Sequence, residues 1–369
     1  MRDDPATGKY IKTFRSHTVS ICSTHYFPCS GNQSNIRILT SISAKMVTVA
    51  LAGATTGFGR TMLMTFIHNN KDNKHNIVLL SRSQQPEFTA QGIDVRPVDY
   101  NNHDQLVKAL EGVHTVLSVI GGSAEAIRTA QLNLIPACKE AGVTRFAPSE
   151  YAGNTNKGVD LYAGKEEVWQ ATRNSGLEYT RFACGLFMSV LATGTPKPLT
   201  DVGKREGKKT GEEEALAGLR PWNYVINMKA GTADYPGEGT APACFTDMRD
   251  IALFVYRALD LDKWPETLGM RGDVKSFKDV VEITGKVQGR KFLTNNNSVE
   301  ELKAQCDDPG KQFYNQTRLA FHNGMGMVGD ELNQAFPNVK PITCEKFVEK
   351  WWSGVVLGAP SWTEDVSFM

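Results

Sequence analysis

The stretch Val47-Thr-Val-Ala-Leu-Ala-Gly53-Ala-Thr-Thr-Gly57-Phe-Gly59-Arg60 decides the fold. Its opening apolar run predicts a short buried β-strand. Three glycines follow within seven residues, and the chain from Arg60 to Asn69 then repeats apolar residues at helical spacing. The stretch therefore predicts a strand, a tight glycine turn and a helix in direct succession.

Each glycine of this turn has a separate geometric role. Gly53 permits the tight bend, Gly57 lets a phosphate approach the backbone without a Cβ in the way, and Gly59 lets the helix pack closely on the strand. The amino terminus of the helix offers free N–H groups and a partial positive charge to an anion. We therefore expect a dinucleotide cofactor to bind here. The cofactor-binding residues expected in this turn are Gly53, Thr55, Thr56, Gly57, Phe58, Gly59 and Arg60.

The alternation of strands and helices continues after the glycine turn. Apolar strands are predicted at 76–80, 95–98, 114–120 and 145–147. Helices are predicted between them, chiefly at 124–141. Continuous apolar strands that alternate with helices are typical of a parallel sheet covered on both faces. The predicted fold class is therefore α/β, a doubly wound Rossmann-type sheet with its ligand site at the carboxyl ends of the strands.

The residues after the second strand indicate which dinucleotide binds. A site for NAD usually has an acid there, whereas a site for NADP has a basic group for the 2′-phosphate. This chain has Ser81-Arg82-Ser83 and no acid. The planar guanidinium of arginine donates two parallel hydrogen bonds to phosphate, which favours NADP(H). Arg60 is expected to assist, and the alternative is that Arg82 is an ordinary surface residue.

Other strand ends supply further expected cofactor contacts. Ser118 and Gly121 close the fourth strand, and the segment Pro148-Ser149-Glu150 closes the fifth. Parallel strands present a dinucleotide at these positions. Asp99 follows the third strand and is expected either to meet the adenine or to cap the next turn.

The composition argues against several functional classes. The 369 residues carry a formal net charge of +1, which gives no reason to expect nucleic acid or an anionic membrane as a partner. The sequence has no apolar run long enough to span a bilayer. The seven cysteines are scattered and the histidines lack ligand spacing, so no metal site is expected. The expected partner is a small-molecule substrate, and the sequence leaves the oligomeric state open.

Residues 1–45 differ from the rest of the chain. They are poor in acids, rich in serine and threonine, and show no sustained periodicity. We interpret them as a disordered extension or as sequence missing from a mature protein that starts at Met46. The protein is then expected to be cytoplasmic, and the alternative is a mitochondrial presequence.

The chain after this extension is predicted to divide into two parts. Residues 46–190 are predicted to form the NADP-binding Rossmann domain, and residues 191–369 a smaller α+β substrate-binding portion. Within the latter, the polar segment near 195–215 is expected to be an exposed loop. Ser276-Phe-Lys-Asp279 and Ser298-Val-Glu-Glu301 are typical of capped helix starts.

Several stretches together resemble the NmrA-like and isoflavone-reductase-like families of atypical short-chain dehydrogenases. The matching residues include 47–60, Leu80-Ser-Arg82 and 131–153. The most specific of them, Ala141-Gly-Val-Thr-Arg-Phe-Ala-Pro-Ser-Glu-Tyr-Ala-Gly153, is similar to the family signature AGVKRFxPSEFG. The likeness covers about residues 46 to 350, excluding the loop near 200, and implies a Rossmann-type protein that binds NADP(H).

The glycine turn departs from the family pattern Gly-Ala-Thr-Gly-x-x-Gly. Thr56 occupies the position of the second glycine, and Gly57 follows it. The resulting spacing is like the Gly-x-x-x-Gly-x-Gly of the main short-chain dehydrogenases. We expect cofactor binding to survive this change.

A lysine is the expected catalytic residue. The Tyr-x-x-x-Lys of the main short-chain enzymes brings both side chains to one helix face, but Tyr162-Ala-Gly-Lys165 is one residue too short. The resemblance to isoflavone-reductase-like enzymes implies that Lys165 serves the chemistry and also meets the cofactor. Its ammonium would stabilise negative charge on a substrate oxygen and supply a proton. Tyr162 is expected to act beside Lys165 or to line the pocket; the alternative for Lys165 is a solvated helix face shared with Glu166 and Glu167.

Residues after the fifth strand indicate the substrate pocket. Tyr151, Phe187 and Met188 are expected to line it, although apolar residues near strand ends are more often core. The sequence thus predicts an NADPH-dependent reductase that transfers hydride to a small conjugated or aromatic substrate. Two alternatives stay open: a non-catalytic NADP(H) sensor that binds a partner protein, and a quinone reductase. The sequence does not name the substrate.

Overall fold

The computed structural model describes residues 45–362. The predicted extension 1–45 therefore lies outside the described residues, apart from Lys45. The strands are β1 Thr48–Ala52, β2 Asn76–Ser81, β3 Asp94–Pro97, β4 Thr115–Ser118, β5 Arg145–Ala147, β6 Glu178–Tyr179, β7 Arg181–Ala183, β8 Leu186–Phe187, β9 Ile226–Asn227, β10 Thr232–Pro236, β11 Pro242–Thr246, β12 Thr267–Gly269, β13 Asp273–Ser276 and β14 Leu293–Asn297. The helices are α1 Gly57–Asn69, α2 Pro86–Thr89, α3 His103–Ala109, α4 Ala124–Glu140, α5 Ala163–Arg173, α6 Asp201–Arg205, α7 Gly211–Leu216, α8 Met248–Ala258, α9 Phe277–Gln288, α10 Val299–Gln305, α11 Gln312–His322, α12 Glu331–Ala335 and α13 Cys344–Trp352. Two short 3-10 turns occupy Asp160–Tyr162 and Met188–Ala192.

The central sheet has six parallel strands in the order β3-β2-β1-β4-β5-β6. At its middle, Leu51 of β1 pairs with Leu79 of β2 on one side and with Leu117 of β4 on the other. The direction of winding reverses between β1 and β4, which is where an open parallel sheet places its ligand crevice. The predicted doubly wound Rossmann-type fold is confirmed.

Both faces of this sheet are buried, because successive residues of a strand point to opposite sides. Leu51, Leu79 and Leu117 pack in one hydrophobic cluster with side chains of α1 and α8. Ala50 and Val78, one residue earlier, pack in a second cluster with side chains of α3 and α4. This double burial explains why the strands read as continuous apolar runs.

The part of the chain after β6 contributes smaller sheets. β13, β11 and β8 form one sheet, β14, β10 and β9 form a second, and β12 pairs with β7. A third hydrophobic cluster joins β8 and β11 with α9, α11 and α13. The predicted α+β character of the C-terminal portion agrees with these elements.

The segment 195–215 differs from the exposed loop that its polarity predicts. It contains α6 and α7, whose first turns are capped by the hydroxyls of Thr200 and Thr210. Glu214 on α7 is fully buried, and its carboxylate accepts hydrogen bonds from the backbone N–H of Thr200 at 2.8 Å and from its hydroxyl at 2.6 Å. A buried carboxylate with hydrogen-bond partners looks the same in the sequence as a solvated one, which is why polarity misleads here.

Candidate active site

The glycine turn is held tightly by its neighbours. Gly53 has a φ of 85°, and a Cβ on it would lie 2.6 Å from the Cα of Ile120, just beyond β4. A Cβ on Gly59 would lie 2.5 Å from the carbonyl oxygen of Gly53. Packing therefore requires both glycines. Gly57 has a φ of 56°, but the nearest atom to a Cβ there would be the Gly218 oxygen at 3.5 Å, so packing alone does not explain this glycine.

The amino terminus of α1 has no side-chain cap from the described residues. Thr56 occupies the N-cap position with an extended backbone, and its side chain accepts no hydrogen bond from the helix. The first turn of α1 also carries no acidic residue. By contrast, side-chain oxygens of Ser123 and Asp247 cap α4 and α8. The start of α1 thus offers N–H groups to an external anion such as a diphosphate.

The end of β2 presents one of the two arginines expected at the 2′-phosphate. Arg82 is exposed and forms no ion pair with another described residue. Ser81 is buried, and its hydroxyl accepts a hydrogen bond from the Gln85 amide at 3.2 Å. Arg60 donates to both carboxylate oxygens of Glu87, at 2.8 and 3.0 Å. Arg82 is therefore open to a phosphate, whereas Arg60 already has an anionic partner.

The ends of β3 and β4 differ in their free polar groups. Ser118 is fully buried, and its hydroxyl has no hydrogen-bond partner among residues 45–362. Gly121 has open space around it. Asp99 is exposed and accepts a hydrogen bond from the backbone N–H of Asn101 at 2.9 Å, which is the turn-capping arrangement. The chain after β4 thus has open space at Gly121, while the Ser118 hydroxyl is enclosed by protein and unpaired among residues 45–362.

β5 ends in a tight bend that places a carboxyl inside the protein. The Glu150 N–H donates to the Pro148 carbonyl at 2.8 Å, and the Ser149 N–H donates to the Gln131 side chain at 2.7 Å. The Glu150 side chain is buried, and the Asn156 amide donates to its Oε2 at 2.8 Å. Pro148 and Ser149 therefore shape the strand end, while Glu150 contributes an internal acid.

Lys165, Tyr162 and Glu150 form one group. Lys165 lies half-buried in the first turn of α5, with its Nζ 5.2 Å from the centroid of the Tyr162 ring. Burial raises the pKa of the Glu150 carboxyl, and the Lys165 ammonium opposes part of this rise. Burial also raises the pKa of the Tyr162 hydroxyl to about 12, so this hydroxyl is neutral at physiological pH. The Lys165 ammonium, the neutral Tyr162 phenol and the buried Glu150 carboxyl thus lie near one another.

The two glutamates that follow Lys165 take other partners. Glu166 accepts a hydrogen bond from Gln170 at 2.7 Å. Glu167 accepts two from Arg128, at 2.5 and 2.6 Å. No carboxylate of the described chain forms an ion pair with Lys165. Glu166 and Glu167 are therefore paired elsewhere, and Lys165 is half-buried beside Tyr162.

A cavity of about 380 Å³ is lined by Tyr162 of this group, whereas Lys165 and Glu150 are not among its lining residues. Phe58, from the first turn of α1, lines it, with its ring centroid 5.1 Å from that of Tyr151 and 5.6 Å from that of Phe187. The cavity therefore adjoins the glycine turn. Its eight aromatic lining residues are Phe58, Tyr151, Tyr162, Phe187, Trp222, Tyr224, Phe313 and Phe321.

Two of the three expected pocket residues line this cavity. They are Tyr151 and Phe187. Met188 is fully buried and is not among the lining residues. The chain enters a 3-10 turn at Met188, so this side chain points into the core behind Phe187.

The part of the cavity wall formed by α11 and by the loop after α7 was not predicted from the sequence. Phe313, Thr317 and Phe321 reach it from one face of α11, at a spacing of four residues. Trp222 and Tyr224 reach it from the loop after α7. The helical spacing was visible in the sequence, but nothing local indicates that this face meets the cavity rather than ordinary core.

No helix within residues 45–362 is long and apolar enough to cross a membrane. Over the same residues, no cluster of three or more His, Cys, Asp or Glu side chains is arranged to hold a metal ion.

Comparison with known proteins gives consistent matches. A sequence model of the NmrA-like family matches residues 45–347. The oxidoreductase BOA1 of Botryotinia fuckeliana is 31% identical over 320 residues, which cover 80% of this chain and 96% of that protein. The bifunctional pinoresinol-lariciresinol reductase 2 of Thuja plicata is 24% identical over 290 residues, 72% of this chain and 83% of that protein.

A solved structure shows the same fold. AtPrR2, solved with NADP+ and (+)pinoresinol, matches with a TM-score of 0.63 and 21% sequence identity. The match covers 83% of this chain and 99% of AtPrR2. At this identity the likeness concerns the fold alone.

Proposed function

The chain belongs to the NmrA-like family and is an oxidoreductase, and we propose that it uses NADPH to reduce a small conjugated or aromatic substrate. The observation that carries this proposal is the position of Phe58. This residue lies in the first turn of α1, at the glycine turn, and its ring also lines the aromatic cavity. A nucleotide on the turn and a substrate in the cavity would therefore meet, as hydride transfer requires.

The residues around the turn fit a dinucleotide phosphate. The uncapped start of α1 would receive the diphosphate, and Gly57 adds no Cβ to the space there, in which the nearest atom is the Gly218 oxygen, 3.5 Å from the Cβ position. The exposed guanidinium of Arg82 would take the 2′-phosphate, which supports NADPH over NADH. AtPrR2, which shares this fold, was solved with NADP+, which supports the same choice.

The cavity would hold the substrate, and Lys165 would stabilise the charge that develops on it. When bound, NADPH supplies a hydride, which carries two electrons. The aromatic wall packs on a planar substrate and excludes water from the reacting carbon. The Lys165 ammonium, held against the ring of Tyr162, would face the substrate oxygen on which negative charge develops.

The proposed step balances in atoms and electrons. A C–H bond would form at the electrophilic carbon as the C–H bond that supplies the hydride breaks and NADPH becomes NADP+. The electron pair of the conjugated π-bond then moves to the oxygen. Lys165 then gives a proton to that oxygen and recovers one from solvent. Tyr162, neutral at physiological pH, can donate a hydrogen bond to the same oxygen.

The cavity also supports an enzyme over the alternative of a cofactor sensor. Cofactor sensing requires only the glycine turn. An aromatic cavity of about 380 Å³ that begins at the same turn is expected where a second small molecule binds beside the cofactor, as in a reductase. Quinones belong to the conjugated compounds that such a cavity accepts, so a quinone reductase is one form of the proposed activity.

Titration with NADPH and NADH, followed by nucleotide fluorescence, tests the cofactor assignment. We expect the wild type to bind NADPH about tenfold or more tightly than NADH, because Arg82 adds charge-assisted hydrogen bonds to the 2′-phosphate. Arg82→Gln should remove most of this preference and leave NADH binding unchanged. Arg205→Gln, which removes an exposed arginine on α6, is the matched control. Equal binding of both nucleotides by the wild type would contradict the assignment.

A further inference from the structure

The wall of the aromatic cavity contains an isolated positive charge. Within residues 45–362, Arg220 is the only charged residue that lines this cavity. The other lining residues are aromatic or aliphatic residues, glycines, methionines and a proline, together with Thr317. Arg220 is exposed, so its guanidinium keeps its hydration at the rim while the aromatic residues form the interior.

Arg220 has no anionic partner in the described part of the chain. The nearest acids before it in sequence are the three glutamates of α7, and all three accept hydrogen bonds from backbone N–H groups elsewhere. These pairs are Glu212 with Gly194 at 2.7 Å, Glu213 with Lys209 at 2.8 Å, and Glu214 with Thr200 at 2.8 Å. The positive charge at the rim is therefore not neutralised by an ion pair within residues 45–362.

The backbone before Arg220 is fixed against the glycine turn. The Thr61 hydroxyl on α1 donates a hydrogen bond to the Ala217 carbonyl. Gly218 lies directly against Gly57, since a Cβ on Gly218 would overlap the Gly57 carbonyl group. Both contacts join the loop after α7 to the first turns of α1.

The backbone after Arg220 is fixed as well. The Trp222 N–H donates to the Thr193 hydroxyl at 3.1 Å. The Trp222 ring lies 4.5 Å from that of Tyr224 and 6.0 Å from that of Phe313. Because the backbone is anchored on both sides, Arg220 is presented at a defined place on the rim, which favours a specific ligand contact over a chance surface charge.

We propose that Arg220 binds a carboxylate of the substrate, so that the enzyme acts on aromatic or conjugated acids. The planar body of such a compound occupies the aromatic cavity, and its carboxylate accepts two parallel hydrogen bonds from the guanidinium at the rim. This inference deepens the proposed function and rests on it, because the same cavity holds the substrate. It adds a substrate class that the glycine turn and Lys165 do not specify.

A matched pair of probes tests the inference without requiring turnover. The probes are 4-carboxychalcone and its methyl ester, which share one conjugated body and differ in charge. Binding is followed by quenching of tryptophan fluorescence, since Trp222 lines the cavity, with and without saturating NADP+. We expect the wild type to bind the acid about tenfold or more tightly than the ester.

Variants assign the preference to Arg220. Arg220→Gln should bind both probes with the affinity that the wild type has for the ester, and Arg220→Lys should keep only part of the preference. Arg205→Gln, which removes an exposed charge from α6, should behave as the wild type. NADPH affinity should stay unchanged in all three variants.

Three results would overturn the inference. The first is equal affinity of the wild type for the two probes, or no measurable binding of either. The second is a preference for the acid that persists in Arg220→Gln. The third is a loss of NADPH affinity in that variant, which would assign Arg220 to the cofactor phosphates. Failure of the proposed function is distinguishable from these. In that case the acid binds through Arg220 but NADPH is not oxidised.

Discussion

Among single residues, a partly buried acid on α8 sets a pH dependence of stability. Burial and the neighbouring Asp247 carboxyl raise the pKa of Asp250 to about 7, from 3.8 in an unfolded chain. The folded protein thus disfavours the charged form of Asp250. Its contribution to stability is full below the unfolded pKa and is lost as the pH rises through about 7.

Replacing Asp250 should flatten this dependence. Asp250→Asn retains an acceptor for the Ile342 N–H, which lies 2.9 Å from Oδ2, and removes the titrating charge. As the pH rises from about 5 to about 7, inside the window between the unfolded pKa of 3.8 and the folded pKa of about 7, we expect the Tm of the wild type to rise less, or fall more, than that of the variant. Thermal unfolding followed by circular dichroism measures both slopes, and the exposed Asp262→Asn is the control. Identical slopes for wild type and Asp250→Asn would show that Asp250 does not titrate in this range.

At the scale of elements, the glycines of the turn should separate packing from cofactor binding. Gly59→Ala places a Cβ 2.5 Å from the Gly53 carbonyl oxygen, so we expect a loss of stability of about 1–3 kcal/mol. Gly57→Ala meets no atom closer than 3.5 Å, and its stability cost should be limited to about 1 kcal/mol for the left-handed backbone. Its Cβ should nevertheless weaken NADPH binding strongly. Denaturant unfolding and NADPH titration of both variants measure the two effects, and intact NADPH binding by Gly57→Ala would count against the proposed diphosphate site.

Arg249 of α8 is expected to hold α6 and α7 in place, the two helices that precede the loop lining the cavity. Its guanidinium donates to both carboxylate oxygens of Glu206, at 3.1 and 2.6 Å, and to the Glu214 carbonyl at 3.0 Å. Arg249→Met should cost about 2 kcal/mol of stability and loosen α6 and α7. Faster tryptic cleavage between Lys204 and Lys209 is the expected readout.

A matched variant controls for the loss of charge alone. Arg173 forms an exposed ion pair with Glu266 at 3.5 Å, and Arg173→Met should cost well under about 1 kcal/mol without changing the cleavage rate. If Arg249→Met is cleaved no faster than Arg173→Met, then Arg249 does not hold this segment in place.

Local signals at element boundaries were readable from the sequence. The capping-box segments beginning at Ser276 and Ser298 do begin helices, and the reciprocal hydrogen bonds with Asp279 and Glu301 are both present. These predictions are confirmed because a capping box is complete within four residues. The segment 195–215 shows the opposite case, since the burial of Glu214 depends on contacts across α6 and α7.

For the whole molecule, the sequence predicted the nucleotide half better than the substrate half. The parallel sheet follows from alternating strands and helices, each recognisable by its own periodicity. The cavity joins Phe58, Phe187, Trp222 and Phe313, which are distant in sequence. Only the fold brings them together, so their convergence and the isolated charge of Arg220 had no local signal.

The central claim is that this chain is an NADPH-dependent reductase whose chemistry depends on Lys165. The most direct measurement is NADPH oxidation by wild type, Lys165→Met and Lys157→Met across conjugated enones, quinones and phenolic ethers, after NADPH binding by each protein has been confirmed. Lys157 is exposed, so its variant controls for the loss of a positive charge near the same site. We predict turnover of at least one compound by wild type and Lys157→Met, and a loss of about a hundredfold or more in kcat for Lys165→Met with NADPH binding unchanged. Tight NADPH binding by wild type without turnover of any compound would contradict the enzyme, and full activity of Lys165→Met would contradict the mechanism.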